Sequence, residues 1–389
     1  MQAITGTVQA YPWGSTDGIP AALGTADTGE PQAELWLGAH PKAPSRLADG
    51  RSLADHLSEH PEEIGTTSVN RFGPRLPFLL KVLSAARALS LQAHPSRAQA
   101  IEGFAREDAE QLPLDAPHRN YRDDWPKPEA LLALTEFHGL CGFRDPEETR
   151  ALFARFGVPE ADQLVEPLTD RDGIARVFLE ILGLADAEDD LVREVVEAAR
   201  PHAGEDSEFG RFCATAVELA ADYRDDAGIL AALLLNRITL APGEAFFMPA
   251  GNLHAYLRGT GIEIMSNSDN VLRGGLTGKH VDLDELARVV DFAPGFPGTI
   301  EPVDEGGGVR RLPTPAPEFE LWELTDCHDR ELPADGSGRI LLVVDGTATL
   351  RRGDEELVIE RGGAAFVGAT ETGVRVSGPA RGFLASGGV

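Results

Sequence analysis

Four side chains in separate parts of the sequence carry the donor atoms that bind zinc-like metal ions. Gln92 and His94 lie two apart in residues 89–95, a run predicted to be a strand, so both project from one face. Taken alone, this pair has a simpler interpretation as a core histidine bonded to an amide. Glu129 opens another apolar strand, as a ligand or a capping residue, and His254 follows a turn. Two imidazoles, a carboxylate and an amide without thiolate suit zinc, with manganese, cobalt or iron as alternatives.

The lysines indicate a second kind of chemistry. Of 35 cationic residues 31 are arginine, and the lysines are Lys42, Lys81, Lys127 and Lys279. An arginine-rich chain that keeps lysine at these positions needs compact point charges or titratable amines there, with chance as the alternative. Lys81 interrupts the apolar run 76–83, where a buried ammonium must pair with an anion or reach a cavity.

Two further residues extend this set toward a substrate. Arg273 precedes two glycines, which would let a ligand approach the backbone closely. Glu263 lies between isoleucines in a strand-like run, where the alternative is a solvated strand face. Because arginine and lysine bind phosphate and the metal would lie beside them, we expect a phosphorylated metabolite.

Composition limits the class of protein. Hydrophobic residues form 42% and charged residues 25% of the 389 residues, as in soluble proteins of two or three domains. The net charge of −28 argues against nucleic acid and anionic membranes as partners. Three widely spaced cysteines argue against a disulfide framework and a thiolate zinc cluster. Without a signal peptide or an apolar run of about 20 residues, the chain is expected to be cytoplasmic.

The hydrophobic pattern defines the elements that must position these residues. Residues 1–100 have the pattern of strands and turns, and a short helix is predicted at 97–105. Apolar residues recur at helical spacing throughout 146–235, a segment with eight Arg against 21 Asp or Glu. This segment is therefore predicted to be a solvated, all-helical insertion and a poor place to bind an anion.

A barrel fold is predicted from one motif. Residues 243–254 read glycine, five residues, proline, one residue, glycine, two residues and histidine, which resembles the second signature motif of cupin barrels. The usual asparagine four residues after the histidine is Arg258 here, which leaves the metal set untouched. Residues 340–367 resemble a second, degenerate cupin barrel. When Gly363 is aligned with Gly243, Val374 takes the place of His254, so we expect no metal there.

The predicted fold is mainly β, with two cupin-like jelly-roll barrels and an inserted all-α helical domain. Residues 1–145 and 236–310 are expected to form the catalytic barrel, and 146–235 the helical insertion. Residues 311–389 are expected to form the C-terminal, degenerate cupin-like barrel, with a structural role.

Seven motifs together resemble those of the type I mannose-6-phosphate isomerases, a zinc-dependent family with two cupin-like barrels and a helical domain. They occupy residues 11–14, 33–42, 76–83, 89–95, 127–129, 249–256 and 268–277. Their order and joint presence make the resemblance specific, whereas the helical segment and the C-terminal barrel match in architecture alone.

The resemblance implies one zinc ion per chain, held by Gln92, His94, Glu129 and His254, and a catalytic arginine at Arg273. Glu263 is our first candidate for the proton-transferring base and Lys127 our second, if burial or neighbours bring the pKa toward neutrality. The candidate substrate contacts are Ser90, Lys81, Lys279, His40, Trp13, Tyr256 and Asp269.

The implied reaction interconverts mannose 6-phosphate and fructose 6-phosphate, at the entry to mannose activation or catabolism. It opens the sugar ring and moves a proton between C2 and C1 through an enediol, whose negative charge needs a fixed positive partner. Arg273 would stabilise that charge or hold the phosphate, and His40 would assist ring opening. We expect a monomer that binds a phosphorylated hexose, with oligomers left open.

Two other classes of protein remain as alternatives. A non-haem iron oxygenase would use two histidines and one carboxylate with open positions for oxygen, and the fourth ligand Gln92 argues against it. A non-catalytic sugar-binding cupin would bind a sugar phosphate without converting it. The joint presence of Glu263, Lys127 and Arg273 argues against that class.

Overall fold

The computed structural model describes residues 1–184 and 189–388. Within these ranges the α-helices are α1 (Gly18–Leu23), α2 (Leu53–Glu59), α3 (Thr66–Phe72), α4 (Arg97–Ala109), α5 (Pro146–Ala154), α6 (Pro159–Val165), α7 (Arg171–Leu182), α8 (Asp189–Ala199), α9 (Glu208–Asp222), α10 (Gly228–Leu233) and α11 (Leu283–Val289). Among these helices, none has the length and apolar character needed to span a membrane.

The strands are numbered in chain order. They are β1 (Gln2–Thr5), β2 (Thr7–Gln9), β3 (Glu34–Gly38), β4 (Arg46–Leu47), β5 (Phe78–Ala85), β6 (Gln92–Ala93), β7 (Glu129–Ala133), β8 (Phe137–Phe143), β9 (Leu235–Leu240), β10 (Ala245–Met248), β11 (His254–Ser266), β12 (Leu272–Arg273), β13 (Val303–Gly306), β14 (Val309–Leu312), β15 (Glu320–Thr325), β16 (Arg330–Glu331), β17 (Arg339–Arg352), β18 (Glu355–Glu360), β19 (Ala364–Val367), β20 (Arg375–Ser377) and β21 (Ala380–Ser386).

The strands form two large antiparallel sheets. In the first sheet β11 pairs with β5, β6, β7 and β8, so this strand touches most of the segments that carry predicted site residues. The second sheet is built mainly from strands after residue 300, but it also contains β1 and β4 from the N-terminal part of the chain.

Strand alternation positions the functional side chains. Every residue of β5 is buried, as predicted for a continuous apolar run. Leu80 and Val82 pack into the core shared with the second sheet, whereas Lys81 between them lines a cavity on the opposite face. Strand β11 repeats this arrangement, because Ile262 belongs to the shared core and Glu263 faces the cavity. The alternative interpretation of Glu263, as part of a solvated strand face, is therefore wrong.

The helical insertion agrees with the predicted segment, since α5 to α10 occupy most of residues 146–233. Its apolar faces meet in a core that includes Ile174, Phe178 and Phe212. The prediction of only strands and turns for residues 1–100 is wrong, because α1, α2 and α3 lie there. These helices are six or seven residues long and too short to show a clear helical period.

The structure as a whole therefore mixes α and β elements more evenly than the mainly β prediction. The short helix predicted at 97–105 is confirmed and extends further, as α4. It begins with a capping box between Ser96 and Gln99, which accounts for its sharp start.

Candidate active site

A cavity of about 900 Å³ lies on the face of the first sheet that points away from the second. All four lysines of the chain line it. The predicted site residues that line it are Trp13, His40, Lys81, Ser90, Gln92, Lys127, Glu129, His254, Tyr256, Glu263, Asp269, Arg273 and Lys279. His94 alone is not part of the lining, and it contacts Glu129 instead.

Three of the four predicted metal ligands form a buried cluster. Donor atoms of His94, Glu129 and His254 all lie within 4.8 Å of one another. The fourth residue, Gln92, is the cross-strand partner of His254 between β6 and β11, so its side chain shares that face of the sheet. Glu129 reaches the same place from β7, where it pairs with Met265 of β11.

The hydrogen bonds of the two imidazoles determine which ring nitrogen is free. Nδ1 of His94 lies 2.8 Å from the carbonyl oxygen of Asn270, and Nδ1 of His254 lies 3.1 Å from that of Asn252. A carbonyl oxygen only accepts, so both Nδ1 atoms carry the proton and both Nε2 atoms are acceptors. Backbone partners of this kind orient metal-binding histidines in proteins.

The free nitrogens face a carboxylate across a gap that a cation would fit. Nε2 of His94 and of His254 lie 3.4 and 3.2 Å from Oε2 of Glu129, and buried Nε2 of His94 has no hydrogen-bond partner. Burial, with help from nearby Lys127, lowers the pKa of His94 to about 4, so this ring is neutral at pH 7. Three acceptors that converge without a proton between them are the donor set of a divalent metal.

Lys127 fixes the charge of Glu129. Burial raises the pKa of this carboxyl, but the nearby Lys127 ammonium outweighs burial and holds the pKa well below its usual range. The ammonium lies 2.9 Å from Oε1, which leaves Oε2 for the imidazoles. Trp125 lies two residues before Lys127 and makes cation–π contacts with two arginines. The centroid of its ring lies 4.3 Å from the guanidinium of Arg75 and 4.9 Å from that of Arg97.

A second buried network lies beside the metal ligands. The Lys81 ammonium donates to Glu263 over 2.8 Å and to Glu34 over 3.3 Å. The Tyr256 hydroxyl donates to the other oxygen of Glu263 over 2.7 Å, and the Trp36 indole donates to Glu34 over 2.7 Å. Each buried charge therefore has an opposite charge and hydrogen bonds, which offset the cost of burying it.

The pKa values of Glu263, Lys81 and Tyr256 are all raised, for different reasons. Burial raises the pKa of the Glu263 carboxyl against the opposing effect of Lys81, and so moves it toward neutrality. Burial lowers the pKa of Lys81, but Glu263 and Glu34 outweigh burial and raise it above the usual value. The pKa of the Tyr256 hydroxyl is raised well above normal by burial and by Glu263, so Tyr256 stays a hydrogen-bond donor.

A further group of cations lines the same cavity. The pKa of Lys279 is lowered by burial and by nearby Arg273, Arg122 and Lys42. The pKa of Arg273 is lowered by burial and by Arg122. In residues 1–184 and 189–388 neither Arg273 nor Lys279 has a carboxylate within 4.0 Å, so their charges are available to an anion.

His40 is held neutral beside an acidic group. The backbone N–H of Lys42 donates to Nδ1 of His40, and Nε2 lies 3.5 Å from Asp269. Burial, against the opposing effect of Asp269, lowers the pKa of His40 to about 4. Asp269 in turn lies 2.9 Å from the Lys42 ammonium, so the carboxylate that faces His40 is already paired.

Two residues of the cavity were missed in the sequence. Glu34 lies in the fully buried strand β3, and a carboxylate in such a strand requires a cation partner, which could have connected it with Lys81. Arg122 lies in the loop before β7, which is rich in Asp and Arg and has no hydrophobic period. No local signal distinguishes Arg122 from its neighbours.

Comparisons with known proteins agree with this geometry. The profile of the phosphomannose isomerase type I catalytic domain matches residues 1–146, and that of the mannose-6-phosphate isomerase cupin domain matches residues 318–385. The mannose-6-phosphate isomerase of Salmonella typhimurium is 38% identical over 394 residues, covering 98% of each chain. The human mannose-6-phosphate isomerase is 32% identical over 414 residues, covering 94% of this chain and 92% of the human one.

Solved structures lead to the same family. A crystal structure of mannose 6-phosphate isomerase bound with zinc and yttrium superposes with a TM-score of 0.87 at 34% identity, covering 100% of both chains. A zinc-bound structure of mannose 6-phosphate isomerase has the same TM-score and identity, covering 100% of this chain and 99% of the other. On sequence, coverage and fold, this chain belongs to the type I phosphomannose isomerase family.

Proposed function

We propose that this chain interconverts mannose 6-phosphate and fructose 6-phosphate, the reaction that gives its relatives their name. The observation that carries the proposal is the presence, in one cavity, of a buried metal-ligand set and a buried Glu263–Lys81 pair. An aldose–ketose isomerase needs both a positive partner for an enediolate and a group that moves a proton.

Gln92, His94, Glu129 and His254 would hold one zinc ion. The unpartnered Nε2 of His94 and the charged Glu129 carboxylate support this assignment, as do the zinc-bound structures of related proteins. When bound, zinc would polarise an oxygen of the open-chain sugar as a Lewis acid.

Glu263 is our first choice for the base that moves the proton between C2 and C1. Each of its oxygens accepts one hydrogen bond and keeps a lone pair, so the carboxylate is held in place and still accepts a proton. Lys81 and Tyr256 position it, with Lys81 also within reach of substrate hydroxyls. Lys127 is the second choice, because its ammonium is already matched to Glu129.

The cations divide between the two ends of the substrate. Arg273 is the cross-strand partner of Gln92, so we assign it to the negative charge of the enediolate. Lys279 and Arg122 lie near Arg273, and we assign them to the phosphate.

Other groups of the lining would position or open the sugar. His40, neutral and 3.5 Å from Asp269, is placed to move a proton during ring opening. Trp13 stacks on Tyr11 with ring centroids 5.8 Å apart, and this pair would pack against the sugar. Ser90 lies on the lining two residues before Gln92 and would contact a hydroxyl.

We propose that the two sheets correspond to two cupin-like barrels. Residues 1–145 and 236–310 would form the catalytic barrel, 146–235 the helical domain, and 311–389 the degenerate barrel. The cupin-domain match over 318–385 supports the last of these. The membership of β1 and β4 in the second sheet adds N-terminal strands to that barrel.

A coupled assay for fructose 6-phosphate formation, run with and without chelator, tests the proposed reaction. We expect turnover of mannose 6-phosphate that is lost with chelator and restored by zinc. Binding of mannose 6-phosphate without conversion would contradict the proposal and favour a sugar-binding protein. Oxygen consumption with a 2-oxo acid would favour an iron oxygenase instead.

A further inference from the structure

The acidic helical insertion touches the cavity through the connection between α9 and α10. Tyr223, at the end of α9, lines the cavity, and its hydroxyl donates to the carbonyl oxygen of Ala88 over 2.7 Å. Asp222 lies 3.7 Å from the guanidinium of Arg87. The insertion is therefore attached to the segment that leads into β6, one of the strands of the site.

Asp226, in the same connection, binds the loop that follows Arg273. Its Oδ2 accepts the backbone N–H of Thr277 over 3.1 Å, and its Oδ1 accepts that of Leu276 over 3.3 Å. Oδ1 also accepts the N–H of Gly228, over 2.7 Å, which fixes the side chain relative to α10. One carboxylate thus ties the first turn of α10 to residues 276 and 277.

The loop at residues 274–277 has a backbone that needs such support. Gly275 has a φ of +110° and Leu276 a φ of +52°, and this left-handed conformation is strained for leucine. A Cβ on Gly275 would lie 2.7 Å from the Cα of Gly228, so loop and helix are in backbone contact. The Leu276 side chain is buried in the core of the helical region.

The loop connects two cations of the site. Arg273 precedes it and Lys279 follows it, and both line the cavity without a carboxylate within 4.0 Å in the described ranges. Neighbouring cations lower the pKa of each, so no local attraction holds the two side chains together. Their positions depend on the backbone that joins them.

We propose that the helical insertion positions the Arg273–Lys279 segment for the substrate, with Asp226 as the positioning residue. This inference rests on the proposed function, because it assigns Lys279 to the phosphate and Arg273 to the enediolate. An insertion that contributes no cation of its own thereby sets the affinity for an anionic substrate.

Asp226→Ala and Asp226→Asn test the proposal, with inorganic phosphate as a competitive probe of the full-length zinc enzyme. In Asp226→Ala we expect the KM for mannose 6-phosphate and the inhibition constant of phosphate to rise together, on the order of 10-fold. Asp226→Asn keeps an acceptor for Gly228 and Leu276 but turns an N–H group toward Thr277, so its effect should be smaller. Zinc content should stay unchanged in both variants.

Asp206→Asn is the matched control, since Asp206 is exposed elsewhere in the insertion. It should leave both constants at the wild-type value. If the substitution only reduced the amount of folded enzyme, the apparent kcat would fall, whereas the KM and the inhibition constant of phosphate would stay unchanged. That result would overturn the proposal. If Asp226→Ala does not fold, the KM for mannose 6-phosphate and the inhibition constant of phosphate in Asp226→Asn test the proposal.

Lys279→Ala separates this inference from the proposed function. If this variant weakens phosphate inhibition and the Asp226 variants do not, the positioning role is wrong and the anion site stands. If Lys279→Ala also leaves phosphate inhibition unchanged, the assignment of the phosphate site itself fails.

Discussion

Both sheets of this molecule are built from antiparallel strands, but the first lies against a charged cavity and the second packs around an apolar core. Beside the first sheet, the cavity of about 900 Å³ is lined by charged groups such as Lys81 and Glu263. Within the second sheet, the corresponding space is filled by apolar side chains that include Trp322, Leu341 and Val374. A cavity of about 10 Å³ remains among them, roughly the minimum that holds one water molecule, and a separate pocket of about 500 Å³ beside the same sheet is lined by Trp322 and by charged groups such as Arg311 and Glu331.

One position shows the contrast most directly. His254 and Val374 each lie eleven residues after a turn glycine, Gly243 in the first sheet and Gly363 in the second. His254 is a member of the metal-ligand cluster, whereas Val374 is fully buried in an apolar core. An antiparallel sheet therefore accepts either a reactive or an apolar interior, and the choice depends on whether each buried charge meets a partner.

Replacing a metal ligand beside the first sheet with the apolar residue found in the second sheet should have the largest effect on zinc binding and turnover. His254→Val removes one ligand and leaves Glu129 facing a single imidazole. We expect zinc to be lost on dialysis and turnover to fall by about 1,000-fold or more. Elemental analysis and the coupled assay measure the two effects.

Val374→Ala is the matched control for this change. It should cost about 1–2 kcal/mol of unfolding free energy and leave zinc content and kcat intact. Retained zinc and near-normal turnover in His254→Val would contradict the contrast between the two interiors, because valine would then replace histidine at this position without loss of function.

A change within the charged network should have the next largest effect. Glu263→Gln keeps the size of the side chain and a partner for Tyr256 but removes the base. We expect kcat to fall by about 100-fold, with zinc content unchanged. Near-normal turnover, measured by the coupled assay, would remove Glu263 from the mechanism and leave Lys127 as the candidate.

The smallest effect concerns acid stability, to which His40 of the first interior should contribute. The pKa of His40 is about 4 in the folded protein and about 6.5 in the unfolded chain, so the unfolded chain binds more protons between these values. Stability is therefore complete above pH 6.5 and falls as the pH drops toward 4, by on the order of 3 kcal/mol from this group.

Urea unfolding of the zinc enzyme at pH 7 and pH 5 checks this dependence. His40→Gln, which places an N–H near Asp269 but does not titrate, should flatten it. An equal loss of stability on acidification in His40→Gln and wild type would assign the sensitivity to other groups.

Local patterns predicted the parts of the fold that local chemistry determines. The buried run of β5, the strand-like run of β11 and the helical period of the insertion were all visible, because each repeats over several turns or residue pairs. The structure also brings the predicted site residues together at one cavity, while their roles stay predictions. The joint occurrence of histidines, carboxylates and rare lysines in ordered motifs supplied that signal.

The features that were missed depend on partners far away in the chain. Glu34 becomes a site residue only through Lys81, and Arg122 only through the loop that carries Arg273. The pairing of β1 with β19 has no local signature in the sequence, because any short alternating strand could pair with β19 equally well. Sequence patterns describe what a segment prefers, and such pairings are decided by the assembled molecule.

The place of β1 also has a consequence for the order of folding. Ala3 pairs with Ala365, so the second sheet closes a loop that spans nearly the whole chain. During synthesis β1 emerges long before β19 exists. The edge of β1 that pairs with β19 therefore stays unpaired until the end of translation. Completion of this sheet is therefore expected to be a late event, and a truncated chain that lacks β19 would expose β1 as a site for aggregation.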